Sequence, residues 1–183
     1  MNNIVFLISG KPHHYKVINN VKQYHPISCI LTRIDDLKKL RNAFVFVIGS
    51  QVIPKEILKT AKDNDVLILN LHSGDTRKYR GMDCEYWSLL YDNNVICTLH
   101  EIDENIDTGP IYLQCEVNLD GLDDIGNLKM RIADAYSFLI NKFLDDPIQY
   151  IKNKNNRGNG VYCKPMSTTL LNIVNKKLKK RVQ

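Results

Sequence analysis

Two residues apart, directly after the apolar run Val66-Leu67-Ile68-Leu69, stand an asparagine and a histidine, Asn70 and His72. At the end of a strand, residues two apart project to the same side of the backbone, so this amide and imidazole can address one substrate atom. Farther along, Asp107-Thr108-Gly109-Pro110 reads as a turn that can bring a carboxylate back toward them. The three side chains then offer an oxyanion donor, a proton carrier and an orienting base. Each also has a plainer use. A histidine after a strand is more often a surface or capping residue than a catalyst, and Asn70 and Asp107 are ordinary turn formers.

The elements that must position these residues follow from the hydrophobic pattern. Ile4 to Ile8, Ile27 to Leu31, Phe44 to Ile48 and Val66 to Leu69 read as strands. Helical spacing lies between them: Tyr15, Ile18, Val21 and Tyr24 after the first, a short helix over Ile34 to Leu40 after the second, and Lys55 to Lys62 behind Pro54 after the third. This alternation predicts an α/β fold of Rossmann-like kind, a mostly parallel central sheet flanked by helices. Then come a helix over Cys84 to Tyr91, strands over Val95 to His100 and Ile111 to Val117, and a long helix over Asp120 to Phe143. A polar loop follows over Asn153 to Asn159, then a short strand at Val161 to Cys163 and a terminal helix from Thr168. We divide the chain into a catalytic domain over 1–150 and a C-terminal strand and helix extension over 151–183, which is not an independent domain.

Composition narrows the partners. The chain has 183 residues, 44% hydrophobic and 25% charged, within the range of one domain with a full core. Its net charge of +5 is concentrated in Lys176, Lys177, Lys179, Lys180 and Arg181, leaving a nearly balanced body. A basic terminus of this kind is weak evidence for nucleic-acid binding. The five cysteines, Cys29, Cys84, Cys97, Cys115 and Cys163, are widely spaced without a C-x-x-C pair and read as reduced thiols. No apolar run approaches the ~20 residues of a membrane helix, and the N-terminus lacks a signal-peptide layout. The expectation is a cytoplasmic enzyme without a metal site.

In open α/β sheets, ligands sit at the carboxyl ends of the strands. Here those ends carry Ser9-Gly10, Gly49-Ser50-Gln51 and Asn70-Leu71-His72, which should converge on one crevice. Neither a G-x-G-x-x-G nor a Walker A sequence occurs. The set Asn70-x-His72, Arg80-Gly81, Trp87, Cys97-Thr98-Leu99-His100 and Ile106 to Ile111 with Gln114 resembles the active-site signature of the folate-dependent formyltransferases. Upstream, Gly49 to Leu58 is similar to the segment lining that family's pterin pocket. The resemblance is specific from Phe44 to Val117.

What the resemblance implies is formyl transfer from 10-formyltetrahydrofolate to an amine. Asn70 holds the formyl oxygen, His72 stabilises the tetrahedral intermediate and moves its proton, and Asp107 orients His72 or takes the proton of the attacking amine. Donor binding falls to Gln51, Val52 and Ile53, with Ile53 as an apolar wall, and to Ile102, Asp103 and Ile106. Two departures stand out: the histidine is usually followed by a proline-containing run, whereas here the run is Ser73-Gly74-Asp75-Thr76-Arg77, and the region before Phe44 is short.

The acceptor is chosen by comparison within the family. A glycinamide ribonucleotide acceptor is disfavoured because Ser9-Gly10-Lys11-Pro12 stands in place of a Gly-Ser-Asn phosphate loop. tRNA is disfavoured because the residues after Phe143 are too few for an independent core. A compact nucleotide-sugar N-formyltransferase fits better, with Gly10, Lys11, His13, His14 and Arg77 as candidates to meet the acceptor's diphosphate and Tyr79 or Trp87 to stack on sugar or base. A homodimer is compatible with the resemblance. A methionyl-tRNA type enzyme, a hydrolase of 10-formyltetrahydrofolate and a non-catalytic domain of the same fold are the alternatives.

Overall fold

Long apolar runs make parallel strands here because both faces of each strand are covered. The computed structural model describes residues 3–49 and 52–180. β1 (Asn3–Ile8) leads to α1 (Pro12–Lys22), β2 (Cys29–Leu31), a 3-10 turn (Ile34–Lys39), β3 (Ala43–Ile48), α2 (Lys55–Asp63) and β4 (Val66–His72). β5 (Tyr79–Gly81), α3 (Cys84–Tyr91), β6 (Ile96–Glu101) and β7 (Pro110–Glu116) follow. The chain closes with α4 (Ile125–Asp145), α5 (Pro147–Lys152), β8 (Asn155–Arg157), β9 (Val161–Cys163) and α6 (Thr168–Lys179). Among the described residues, seven strands form one sheet in the order β2-β1-β3-β4-β6-β7-β8. β2, β1, β3 and β4 pair in parallel, and β6, β7 and β8 add antiparallel, so five of the seven run in one direction. β5 and β9 form a separate parallel pair.

Alternation along the strands separates two cores. Ile4, Phe6, Ile8, Phe46, Ile48, Leu69, Leu71, Cys97 and Leu99 face the larger one, which also takes side chains of α1, α3, α4 and α6. Val5, Leu7, Val45, Val47, Val66 and Ile68 face the smaller one, roofed by α2 and the 3-10 turn. Asn70 and His72 extend the Val66–Ile68 side of β4. The strand runs through both, so they lie inside its last turns of pleat and not beyond Leu69 as the apolar pattern implied. Pairing with β6, which sets Asn70 opposite His100 and His72 opposite Thr98, satisfies the backbone there and carries the strand onward.

Other boundaries shifted for local reasons. α4 begins at Ile125, because Asp124 caps it by accepting from Asn127 N at 2.8 Å while Gly121, at φ +68, turns the chain just before. The polar stretch expected as a loop contains β8, whose register is set by backbone pairing to Pro110 and Ile111, a contact that polar side chains do not announce. Lys177 is not part of a solvated charge run: its ammonium donates to the carbonyls of Leu89 and Leu90 at the end of α3, where a cation complements the helix dipole.

Phe143 joins the sheet to α4. Its fully buried ring meets those of Phe44, Phe46, Tyr112 and Tyr150 at centroid distances of 5.3, 6.1, 5.7 and 6.2 Å. Truncation leaves a cavity that four rigid rings cannot close. Phe143→Ala is expected to lower unfolding free energy by about 3–5 kcal/mol in urea titrations, and a loss below about 1 kcal/mol would contradict this packing.

Candidate active site

Asp107 is the meeting point. Its backbone is left-handed, φ +52, a conformation Asp tolerates better than most residues, and Gly109 completes the turn. A Cβ on Gly109 would lie 1.8 Å from the Glu101 carbonyl oxygen, so only glycine lets the chain pass there. Asp103 braces the loop by accepting from the Thr108 hydroxyl at 2.6 Å, from Asn105 N at 3.1 Å and from Arg157 at 3.2 Å.

The Asp107 carboxylate reaches four groups. Asn70 Nδ2 donates to Oδ1 at 3.3 Å and the Gly81 backbone N–H donates to Oδ2 at 2.8 Å. His72 Nδ1 stands 3.5 Å from Oδ2, and His100 Nε2 stands 3.4 Å from Oδ1. Both imidazoles are buried. Desolvation alone would raise the acid's pKa, but the attraction of the His72 and His100 imidazoles once they are charged, together with the Gly81 N–H, outweighs it and holds Asp107 down to about 2. For His72 the balance falls the other way: burial lowers its pKa more than Asp107 raises it. The resting pair is therefore an ionised carboxylate beside a neutral imidazole.

Carbonyl partners assign the ring protons. His100 Nδ1 lies 2.9 Å from the Glu101 carbonyl, which only accepts, so the proton sits on Nδ1 and Nε2 is a bare acceptor. Nε2 then takes a hydrogen bond from Asn70 Nδ2 at 3.1 Å, which fixes which end of the amide faces the carboxylate. His72 Nε2 lies 3.2 Å from the Tyr79 carbonyl and carries its proton by the same reasoning. Nδ1, turned to Asp107, is the basic nitrogen.

His100, to which the sequence assigns no role of its own, joins this cluster through Asn70 and Asp107. Its signal was present: in an antiparallel pair β4–β6, a histidine two residues from Thr98 shares a face with Asn70 and His72. That face continues into Gln114, which donates to Thr98 Oγ1 at 2.9 Å and to Asp75 Oδ1 at 3.0 Å.

The remaining candidates are distributed unevenly. Gln51 lies outside the described residues. Ile53 is buried beside Ile57 and Ile102 in the smaller core, whereas Val52 is 75% and Ile106 43% exposed. Asp103 is committed to its loop, as above. At the end of β1, Gly10 has φ +78 with open space around it, and Lys11 precedes α1. His13 is half-buried, with its ring centroid 4.5 Å from that of His14. His14 itself is buried, its pKa pushed down to about 4 by desolvation and by His13, Lys11 and Lys129. Gly49 adjoins Ser9 and His14, so the ends of β1 and β3 do meet, one strand over from Asn70.

Three of the residues expected to meet the acceptor have partners within the chain. Arg77 is folded back onto Asp75, its Nε and Nη2 donating at 3.0 and 3.2 Å, because a carboxylate two residues away is its nearest charge partner. Tyr79 is half-buried and sits in β5, where its carbonyl serves His72. Trp87 donates its indole N–H to the Lys164 carbonyl at 2.9 Å and stacks on Tyr91.

Among known proteins, residues 21–143 match the formyl transferase family. A methionyl-tRNA formyltransferase of Thermodesulfovibrio yellowstonii is 33% identical over 114 residues, 61% of this chain and 36% of that protein. A dTDP-4-amino-4,6-dideoxyglucose formyltransferase of Mycobacterium bovis is 30% identical over 91 residues, 50% of this chain and 39% of that protein. The chain thus spans little more than a third of the length of these curated relatives. A likely sugar N-formyltransferase of Mycobacterium tuberculosis has the same fold, with a TM-score of 0.69 at 17% identity, covering 97% of this chain and 87% of that one. HypX from Aquifex aeolicus, solved in complex with tetrahydrofolic acid, superposes with a TM-score of 0.71 at 14% identity over 92% of this chain and 30% of that one. Among the described residues, no helix is long and apolar enough to cross a membrane, and no cluster of ligating side chains has the make-up of a metal site.

The depressed pKa of Asp107 fixes a pH dependence. A carboxylate held at about 2, below its unfolded value, adds stability that is complete above about pH 4 and is lost as pH falls through 2. His72, with its pKa lowered, binds a proton more readily when unfolded and therefore subtracts stability as pH falls below about 6.5. Wild type is expected to exceed Asp107→Asn by about 2 kcal/mol at neutral pH, the gap narrowing between about pH 4 and 2. Urea titrations across that range test it, and a gap independent of pH would contradict the assignment.

Proposed function

The chain belongs to the formyl transferase family, and from that premise we propose that it moves a formyl group from 10-formyltetrahydrofolate to the primary amine of a nucleotide-linked amino sugar. The observation that carries this reading is the compact cluster of Asn70, His72 and His100 around the Asp107 carboxylate. It contains an amide donor for an oxyanion, a neutral base and a carboxylate that stabilises that base once charged.

In the reaction, the acceptor nitrogen attacks the formyl carbon and the carbonyl electrons move to oxygen. Asn70 Nδ2 meets that oxyanion by exchanging its longer contact, the 3.3 Å bond to Asp107, while keeping His100. The proton shed by the new C–N bond passes to the His72–Asp107 pair. The imidazolium so formed is satisfied at both ends, by the Tyr79 carbonyl and the Asp107 carboxylate. Collapse re-forms the carbonyl, breaks the bond to N10 of the folate and returns the proton to that nitrogen. A buried, preorganised donor of this type is worth roughly 3 kcal/mol in the transition state.

Donor binding is assigned to Gln51, Val52 and Ile53 with the backbone of Ile102 to Ile106, where Val52, next to the buried Ile53, and Ile106 offer uncovered apolar surface. The acceptor is assigned to the loop after β1, with Gly10, Lys11 and His13 close to its nucleotide. The relatives include both a sugar-nucleotide and a methionyl-tRNA enzyme, and the latter matches over the longer stretch. Methionyl-tRNA is accordingly the second reading.

The test is release of tetrahydrofolate with and without a panel of amino-sugar nucleotides and methionyl-tRNA. Release that requires an amino sugar is expected. Release that requires methionyl-tRNA selects the second reading, release without any acceptor indicates hydrolysis, and no release under any condition overturns the enzymatic assignment. Asn70→Ala and His72→Ala are each expected to lower turnover ~100-fold or more while remaining folded. Undiminished turnover in either would remove that residue from the mechanism.

A further inference from the structure

The loop that replaces a proline-containing run after His72 is polar throughout, yet every one of its residues from Ser73 to Arg77 is tied down. The Ser73 hydroxyl donates to Glu85 at 2.6 Å, and Glu85 is paired with Lys129. The Gly74 carbonyl accepts from the Thr98 hydroxyl at 2.7 Å, and the Thr76 carbonyl accepts from Gly160 N at 3.0 Å. Asp75 carries the largest share. Its carboxylate accepts from Arg77 N at 3.1 Å, from the Arg77 guanidinium and from Gln114, while its own carbonyl accepts from both Lys78 N and Tyr79 N at 2.8 Å.

This is a side-chain-closed turn followed by one helical turn, and its last member is Tyr79. The Tyr79 carbonyl is the group that meets His72 Nε2. The turn that Asp75 closes therefore ends on the carbonyl that holds the imidazole.

Resting on the formyl-transfer reading, we propose that Asp75 is a positioning residue which sets the tautomer of His72 by aiming the Tyr79 carbonyl at Nε2. With the proton held on Nε2, the basic Nδ1 faces Asp107, and the proton abstracted during transfer arrives where a carboxylate waits for it. If the carbonyl swings away, the opposite tautomer gains, because Nδ1–H then donates to Asp107 and Nε2 becomes the free base on the wrong side of the ring. Gln114 couples the turn to the sheet, since its amide spans Asp75 and Thr98, and Thr98 lies directly opposite His72 in the β4–β6 pair. A carboxylate three residues after the histidine thereby does with hydrogen bonds what a stiff backbone would do by covalent restraint.

Long-range nitrogen-15 NMR of the His72 ring in the full-length protein reports the tautomer without reference to turnover. Wild type is expected to show protonated Nε2 and bare Nδ1. Asp75→Ala is expected to shift the ring toward protonated Nδ1 and to lower kcat at least tenfold with a smaller change in KM, while Asp75→Asn, which keeps an oxygen for Arg77 N and Gln114, restores both. Should Asp75→Ala fail to fold, Asp75→Ser, whose shorter oxygen can reach Arg77 N but not Gln114, is expected to give a mixed tautomer. An unchanged tautomer in a folded Asp75→Ala or Asp75→Ser protein overturns the proposal, as does a shift in Asp75→Asn equal to that in Asp75→Ala. A wild type that releases no tetrahydrofolate would defeat the formyl-transfer reading, and the NMR comparison would still decide the role of Asp75.

Discussion

A buried carboxylate has to be compensated from several directions at once, and in this protein that requirement falls on Asp107. An ionised group left without partners in such a place would cost several kcal/mol. Strands β4 and β6, the end of β5 at Gly81 and the tight passage at Gly109 each supply one piece of the compensation or of the geometry it needs. The pieces come from segments up to 37 residues apart in the chain, as the Asn70–Asp107 contact shows. Because the donors that hold the charge, the Asn70 amide and the Gly81 N–H, stand beside two imidazoles that can take up a proton, the same arrangement also makes the site capable of proton transfer.

The sheet explains why such a cluster forms at this position. Along β1, β3 and the first half of β4, the face bearing Asn70 and His72 is roofed by α2 and filled with aliphatic side chains. Farther along β4, β6 and β7 the same face turns polar, with Asn70, His72, Thr98, His100 and Gln114, and loops take over from the helix as cover. The opposite face stays apolar throughout, packed on α4 and anchored by rings such as Phe143. Rigidity on one face and chemistry on the other is a division that alternation along a strand provides directly.

Much of this was legible in the residues. The strands were written as apolar runs, the Asn70–His72 pair as a two-residue spacing and the Asp107 turn as Asp-Thr-Gly-Pro. Less legible were features that depend on partners distant in sequence. β8 is polar and exists through backbone pairing to β7, and His100 becomes part of the site only through the β4–β6 register. Arg77 looked like a free cation until Asp75 folded against it. Burial of His14 likewise depends on the Ser9 and Gly49 loops closing around it, which no local pattern states.

On the formyl-transfer reading, the Asp107 cluster passes a formyl group to an amine. This is tested most directly by incubating the protein with 10-formyltetrahydrofolate labelled with carbon-13 in the formyl group and an amino-sugar nucleotide, then examining the sugar by mass spectrometry and carbon NMR. Wild type is expected to form one labelled formamide per acceptor, and Asp107→Asn to lose it. A folded wild-type protein that binds the folate yet leaves the amine unlabelled, or an Asp107→Asn variant that labels it at the wild-type rate, would contradict it.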